Sequence, residues 1–151
     1  MIHLPTLALL SHLYETVFIC DISQKNVDHC KAKFRIPHGT TDPHALINSP
    51  SVDVVFVLTS DEYRTPYTVA ALEAGKHVMV EKPLSLSIPS ARKIIDAEKR
   101  ARNGARVFVG YMRRYAPSFV TAFKREVASI PRILYARSRD CLLYTSDAAD
   151  E

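Results

Sequence analysis

The sequence is poor in glycine and contains no long apolar run. Its four glycines, at positions 39, 75, 104 and 110, are too far apart to form a G-x-G-x-x-G turn, in which backbone amides approach a pyrophosphate. No apolar stretch is long enough to span a bilayer, and the first residues lack the basic region and cleavage pattern of a signal peptide. We therefore expect no membrane partner and a cytoplasmic location.

Cysteine and histidine are also too sparse to suggest a metal centre. The three cysteines, Cys20, Cys30 and Cys141, form neither an even disulfide framework nor a metal-ligand spacing. The six histidines include no HExxH pair. The sequence thus predicts no metal site, and Cys20, which lies in an apolar run, is predicted to be a small core residue.

The formal net charge is +4, and the basic residues gather between Arg92 and Arg139. A nucleic-acid surface is one interpretation. Solvated helix faces, some near an anionic ligand, are the other. Because the chain has neither an interleaved aromatic RNA-binding motif nor a recognition-helix pattern, we predict no nucleic-acid partner.

Strand-like apolar runs alternate with helix-like segments along the chain. The run at 52–58 is almost continuously apolar, which predicts a strand buried on both faces. Gly75 and Asp42 supply a helix stop and a helix cap, respectively, and Ser23 can cap a further helix. The predicted strands are 16–21, 52–58, 77–80, 106–109 and 132–137, and the predicted helices are 7–13, 23–34, a short one from 42, 65–74, 87–102 and 117–128.

This alternation predicts an α/β fold, a Rossmann-like parallel sheet with helices on both faces. In such sheets, ligands bind at the carboxyl ends of the strands. Candidate functional residues are therefore sought at Asp21 and in the segments 58–61, 81–83 and 110–114, where polar residues or glycine follow apolar runs.

One segment resembles a known family. Residues 71–83, A-L-E-A-G-K-H-V-M-V-E-K-P, are similar to the A-L-x-A-G-K-H-V-x-x-E-K-P motif of the Gfo/Idh/MocA oxidoreductases, and the similarity extends over about residues 3–140. The resemblance implies an NAD(P)-binding Rossmann domain at 1–130, which here is missing its first strand and glycine turn, and the start of a C-terminal substrate domain at 131–140.

The resemblance also implies roles for four residues. Lys82 corresponds to a catalytic lysine beside the nicotinamide, and Glu81 is expected near the nicotinamide ribose. Asp21, with Ile22, is expected to bind the cofactor, and a carboxylate at this place favours NAD over NADP. The alternatives are that Lys82 is a surface lysine and that Asp21 only forms a turn before the helix.

Two further groups are expected near the site. Thr59, Ser60 and Asp61 correspond to a Thr-Pro-Asn sequence that runs under the cofactor; serine and aspartate replace the second and third residues, and Arg64 stands where histidine is common. Arg114 resembles an arginine at the mouth of the site and is predicted to contact the cofactor. The substrate-side candidates are Tyr111 and Arg113.

The implied activity of the intact parent is that of a sugar or polyol dehydrogenase, expected to be a homo-oligomer. Because the family's later Asp and His are not in this sequence, we expect the chain itself to be inactive. A non-enzymatic nucleotide-sensing transcriptional co-regulator of the same superfamily is the alternative.

The last eleven residues, 141–151, do not resemble the family. They are similar to the translation of a transposase-type sequencing adapter, and a natural acidic tail is the alternative. We predict that this tail is non-native and does not belong to the predicted fold.

Overall fold

The computed structural model describes residues 3–122. The chain divides into two compact units, Met1–Tyr111 and Met112–Glu151. Several predictions lie outside the described residues: the end of the last helix beyond 122, the strand at 132–137, the start of a second domain at 131–140, and the tail at 141–151 with Cys141.

In the first unit, five short strands alternate with five helices and one 3₁₀ turn. The strands are β1 (Phe18–Cys20), β2 (His38–Thr40), β3 (Val54–Val57), β4 (His77–Val80) and β5 (Val107–Val109). The helices are α1 (His3–Leu9), α2 (Gln24–Phe34), α3 (Pro43–Ile47), α4 (Asp61–Glu73) and α5 (Ile88–Arg100), with the 3₁₀ turn at Arg102–Gly104.

All strand pairs are parallel, as the alternation predicts. One sheet has the order β1-β2 and the other β3-β4-β5. Phe18 pairs with His38, and Val55 pairs with Val78, which in turn pairs with Val107. In a doubly wound sheet, one more parallel strand lies between the strands equivalent to β1 and β3. Residues 3–122 contain no strand at that place.

The core lies between the three-stranded sheet and helices α4 and α5. The core contains Val55 and Val57 of β3, Leu72 of α4 and Ile94 of α5, all of which are buried. Burying a side chain of this size contributes about 1.5–3 kcal/mol, so this layer fixes the positions of the β3 and β4 ends. Helix α2 packs on β1 and β2.

The helix ends follow the predicted signals with one exception. Gly75 has a φ of 76°, and the bonds Gly75 N–Leu72 O and Lys76 N–Ala71 O, both 2.9 Å, form a Schellman motif. Asp42 Oδ1 accepts a hydrogen bond from His44 N, which confirms the predicted cap of α3. The side chain of Ser23 makes no capping bond on α2, so that prediction was wrong.

The prediction that β3 is buried on both faces is also wrong. Val54 and Phe56 are 43% and 37% exposed, whereas Val55 and Val57 are buried. Helices α4 and α5 cover only the face that carries Val55 and Val57. Among the described residues, the ring contact of Phe56 on the other face is with His3.

Three other predictions need correction, and one strand was not predicted. The first helix spans His3–Leu9 rather than 7–13, and it lies on the surface of the unit with no buried residue. Cys20 is half-buried, whereas Cys30 is buried. The strand β2 was not predicted, because its sequence, HGT, carries no apolar pattern. Helix α4 begins at Asp61 rather than at 65, since acidic residues fill its first turn.

The second unit is described only at its beginning. A 3₁₀ helix spans Met112–Tyr115, and α6 spans Pro117–Ala122. Within 3–122, none of the helices combines the length and apolar character that a membrane crossing requires.

Candidate functional site

The carboxyl ends of β3, β4 and β5 meet at one edge of the sheet. Glu81 N donates to Val57 O over 3.2 Å, and Gly110 N donates to Val80 O over 2.8 Å. These bonds extend the ladders by one residue past each strand. The segments that begin at Leu58, Glu81 and Gly110 therefore leave the sheet side by side, as sequence reasoning predicted for candidate site segments.

Glu81 is held by two hydrogen bonds at this edge. Its Oε1 lies 3.0 Å from His3 Nε2, which donates from α1, and its Oε2 accepts from Lys82 N over 3.0 Å. A Cβ on Gly110 would lie 3.5 Å from Glu81 Oε1 and 3.0 Å from the Met79 methyl group. The contact with Glu81 would be an ordinary one, so the absent side chain of Gly110 mainly leaves room for the Met79 methyl group.

His3 contributes to this edge although no role was predicted for it. The histidine is three-tenths exposed, and the Glu81 side chain is 23% exposed, so the pair is only partly screened by water. Its ring also meets Phe56 at 6.3 Å between centroids in an edge-on arrangement. A histidine at the start of a helix was the available sequence signal, but no sequence pattern connects it to a carboxylate 78 residues away.

Lys82 is exposed and directly follows Glu81 at the end of β4. The bond between Lys82 and Pro83 is cis. Beside it, a shallow cavity of about 320 Å³ is lined by the segment that follows Lys82 and by Tyr111. Lys82 therefore lies next to a groove, and its role toward a substrate stays a prediction.

Asp61 and Arg64 form an ion pair across the first turn of α4. Arg64 is only 9% exposed, and its Nη1 donates to the carbonyl oxygen of Pro83 over 3.0 Å. Arg64 was noted in the sequence as a departure from the family pattern, without a role. The hydrogen bond to Pro83 places the Arg64 side chain next to the residue that follows Lys82.

Thr59 and Ser60 lie between β3 and α4. Ser60 is the N-cap residue of α4, but its side chain makes no capping bond. The Thr59 hydroxyl oxygen is buried and has no hydrogen-bond partner among the described residues. Buried hydroxyls are nearly always paired in proteins, so a hydroxyl without a partner at a strand end is suited to bind a ligand.

Asp21 lies just after β1, in the two-stranded sheet. Its Oδ1 accepts hydrogen bonds from Ser23 N over 2.9 Å and from Asn26 Nδ2 over 3.1 Å. Asp21 therefore forms the turn before α2 that was given above as the alternative to cofactor binding. The next residue, Ile22, is 97% exposed, which leaves an unusually accessible apolar side chain beside the carboxylate.

The pKa of the Cys20 thiol depends on the charges near the end of β1. Burial raises its pKa above the ordinary value, and the negative charges of Asp42 and Asp21 raise it further. The end of β1 thus has a negative local potential, which favours hydroxyl donors over phosphate groups.

The described residues fit the two ends of a dinucleotide better than its middle. Asp21 offers a carboxylate for ribose hydroxyls, and the buried hydroxyl of Thr59 lacks a partner within residues 3–122. The pyrophosphate needs a glycine turn at a helix N-terminus. The glycines of the described part of the chain instead lie in β2, at the end of α4, in the 3₁₀ turn and after β5.

The three remaining candidates, Tyr111, Arg113 and Arg114, follow the end of β5. Tyr111 is 54% exposed and lines the 320 Å³ cavity. Arg113 and Arg114 belong to the 3₁₀ helix of the second unit, where Arg114 is exposed. In residues 3–122, no group of three or more His, Cys, Asp or Glu side chains is arranged to hold a metal ion.

Comparison with known proteins agrees with this geometry. Over 126 residues, the chain is 37% identical to the inositol 2-dehydrogenase of Paracoccus denitrificans, covering 80% of this chain and 36% of that protein. A probable dehydrogenase from Thermotoga maritima superposes with a TM-score of 0.74 at 29% identity, covering 81% of this chain and 36% of the other. A levoglucosan dehydrogenase, solved in complex with NADH and levoglucosan, gives a TM-score of 0.70 at 28% identity, with coverages of 79% and 32%.

The chain thus spans about a third of the length of the relatives that it matches. The profile of the GFO_IDH_MocA family, described as an oxidoreductase family with an NAD-binding Rossmann fold, matches residues 2–111. That range contains the motif at 71–83 and the strand ends described above, and the chain belongs to this oxidoreductase family.

Proposed function

We propose that the protein of which this chain forms part is an NAD(P)-dependent dehydrogenase that oxidises a hydroxyl group of a sugar or polyol. The observation that carries the proposal is the meeting of Thr59, Glu81, Lys82 and Tyr111 at the carboxyl edge of β3-β4-β5. The inositol 2-dehydrogenase relative supports a cyclic polyol as substrate. The relatives reported above give no support to the alternative of a sensing regulator.

Lys82 is the proposed catalytic residue. Its ammonium group would donate a hydrogen bond to the reacting oxygen of the substrate. Glu81 fixes the backbone at Lys82 N through its Oε2. The nicotinamide, when bound, supplies the hydride acceptor, and the protein orients the substrate carbon toward it.

Asp21 and Ile22 are the proposed binding site for the adenosine part of the cofactor. The carboxylate would accept hydrogen bonds from ribose hydroxyls, and the exposed Ile22 side chain would pack against the base. A 2′-phosphate would place negative charge beside Asp21. At about 4 Å, such repulsion ranges from about 1 kcal/mol in bulk water to about 4 kcal/mol at an effective dielectric constant of about 20. Because Asp21 is partly exposed, we expect a value near the lower end, and we propose NAD as the cofactor.

The finer assignments follow from the same proposal. Ser60, Asp61 and Arg114 are proposed cofactor contacts, and Tyr111 and Arg113 are proposed substrate contacts. We further propose that residues 1–130 form a cofactor domain, that a substrate domain begins at 131–140, and that the intact protein is a cytoplasmic homo-oligomer.

An NMR titration of the ¹⁵N-labelled chain tests the cofactor site even if binding is weak. NAD⁺ should shift the amide signals of Ile22, Thr59 and Lys82, and NADP⁺ should bind roughly tenfold more weakly, a difference of about 1.4 kcal/mol. Asp21→Ala should remove this preference. Asp53→Ala, at the amino end of β3, is the matched control and should change nothing. Equal shifts with both nucleotides and both variants would contradict the proposal.

Turnover provides a second test. The 151-residue chain should give no NADH from myo-inositol and NAD⁺, and measurable turnover would refute the prediction that it is inactive. In a longer protein that contains this chain and turns over, Lys82→Met should lower kcat by about 10²–10⁴-fold. A loss below tenfold would remove Lys82 from the chemistry.

A further inference from the structure

Among the residues of 3–122 whose burial is described, Arg64 is the one charged residue that is buried. A buried guanidinium group is costly unless its charge and its donors are satisfied. Arg64 lies in the first half of α4, a helix whose other buried residues are small or apolar: Thr68, Ala71 and Leu72. Packing in this part of the core therefore does not require a charged residue at position 64. The partners of the Arg64 side chain indicate its role.

The partners of Arg64 lie in two different elements. Asp61, one turn earlier in α4, supplies the countercharge. The second partner is the Pro83 carbonyl oxygen, which accepts from Nη1 over 3.0 Å and lies 19 residues further along the chain. Both contacts are made by the same nitrogen, Nη1, whereas the buried Nε has no hydrogen-bond partner among the described residues. Arg64 thus ties the start of α4 to the peptide next to Lys82.

The segment that carries Lys82 has few other attachments. Among the described residues, no backbone–backbone hydrogen bond involves residues 82–86. Lys82 N is bonded to the side chain of its own neighbour Glu81, and Ser85 Oγ is bonded within the segment, to Ser87 O. The bond from Arg64 is therefore the hydrogen bond that connects the backbone of this segment to a distant part of the described chain.

We propose that Arg64 is a positioning residue, which holds the Pro83 carbonyl group and through it fixes the backbone from which Lys82 projects. The functional value of this arrangement rests on the catalytic role proposed for Lys82. The proposal also joins two departures from the family pattern, since Asp61 replaces Asn and Arg64 replaces His. The pair acts as one unit, in which the carboxylate neutralises the guanidinium that reaches Pro83.

Backbone ¹⁵N relaxation of the 151-residue chain tests this proposal without any nucleotide. In the unchanged chain, the amides of Lys82 and Leu84 should have order parameters near about 0.85, as in rigid backbone, and Arg64→Met should lower them below about 0.6. The amides of β4, Val78 and Val80, should keep their values. A purely structural role of Arg64 would instead lower stability without this local change.

Two further variants complete the test. Arg92→Met removes an exposed arginine from α5 and should leave both order parameters unchanged. Arg64→Lys keeps the positive charge for Asp61, but its shorter side chain does not carry a donor as far as Nη1, so Lys82 and Leu84 should still lose order while the melting temperature changes less than in Arg64→Met. If Arg64→Met does not fold, Arg64→Lys decides. Unchanged order parameters in the folded variant overturn the proposal, whatever the nucleotide titration gives.

Discussion

The attachment of α1 to the site edge can be tested through His3. The helix has seven residues, none of them buried, and a helix this short is unstable in water by itself. His3 supplies its hydrogen bond to Glu81 and its ring contact with Phe56. We therefore predict that His3→Ala lets α1 open locally while the sheet and the α4–α5 layer stay folded.

The magnitude follows from the two contacts that are lost. A hydrogen bond of this kind contributes about 0.5–1.5 kcal/mol, and an edge-on ring contact contributes about 0.5–1.5 kcal/mol. Since both the His3 and Glu81 side chains are partly exposed, we expect the lower half of the combined range, about 1–2 kcal/mol. This corresponds to a roughly 5–30-fold increase in the population of the open state.

Amide hydrogen exchange measures this opening directly. The amide of Leu10 is bonded to Thr6 O over 3.2 Å, and it should exchange roughly 5–30 times faster in His3→Ala, while amides of β4 keep their rates. Alanine favours helix more than histidine does, so helix propensity works against the expected effect. Leu9→Ala, at an 82% exposed position of the same helix, is the control. Equal exchange at Leu10 in the two variants would show that His3 does not anchor α1.

Two other predictions concern the ends of β1 and α4. The raised pKa of the Cys20 thiol means less thiolate at pH 8, so alkylation followed by mass spectrometry should reach its half-maximal rate at a higher pH than for a free cysteine. Asp42→Asn keeps the helix cap but removes one cause of the shift and should move the curve to lower pH; an unmoved curve would exclude the carboxylate. Gly75→Ala should lower the free energy of unfolding in urea by about 1–2 kcal/mol because of its positive φ. A Cβ on Gly75 would also lie 3.2 Å from Asn103 Nδ2, whereas a Cβ on Gly104, which shares the positive φ, meets no atom within 4 Å. A larger loss for Gly104→Ala than for Gly75→Ala would therefore refute a destabilising contact with Asn103.

Local signals predicted the elements that depend on short-range chemistry. The strand 77–80 has the predicted bounds, because a left-handed glycine stop before it and a proline after it limit its length. The Asp42 cap is likewise a contact between near neighbours. By contrast, the exposure of Val54 and Phe56 depends on which helices cover each face of the sheet. Burial of an apolar run depends on such tertiary packing and is not encoded in the run itself.

The same distinction applies within the candidate site. The order of strand ends predicted that Glu81, Lys82 and Tyr111 lie at one edge, because parallel strands bring their carboxyl ends together. The sequence also contains the Asp61–Arg64 spacing, which places two opposite charges one helical turn apart. It does not contain the bond from Arg64 to Pro83, which forms only when α4 packs on the sheet beside β4. Viewed one position at a time, aspartate and arginine are two departures from the family pattern; viewed in three dimensions, they form a single charge-balanced support behind the residue proposed to carry the chemistry.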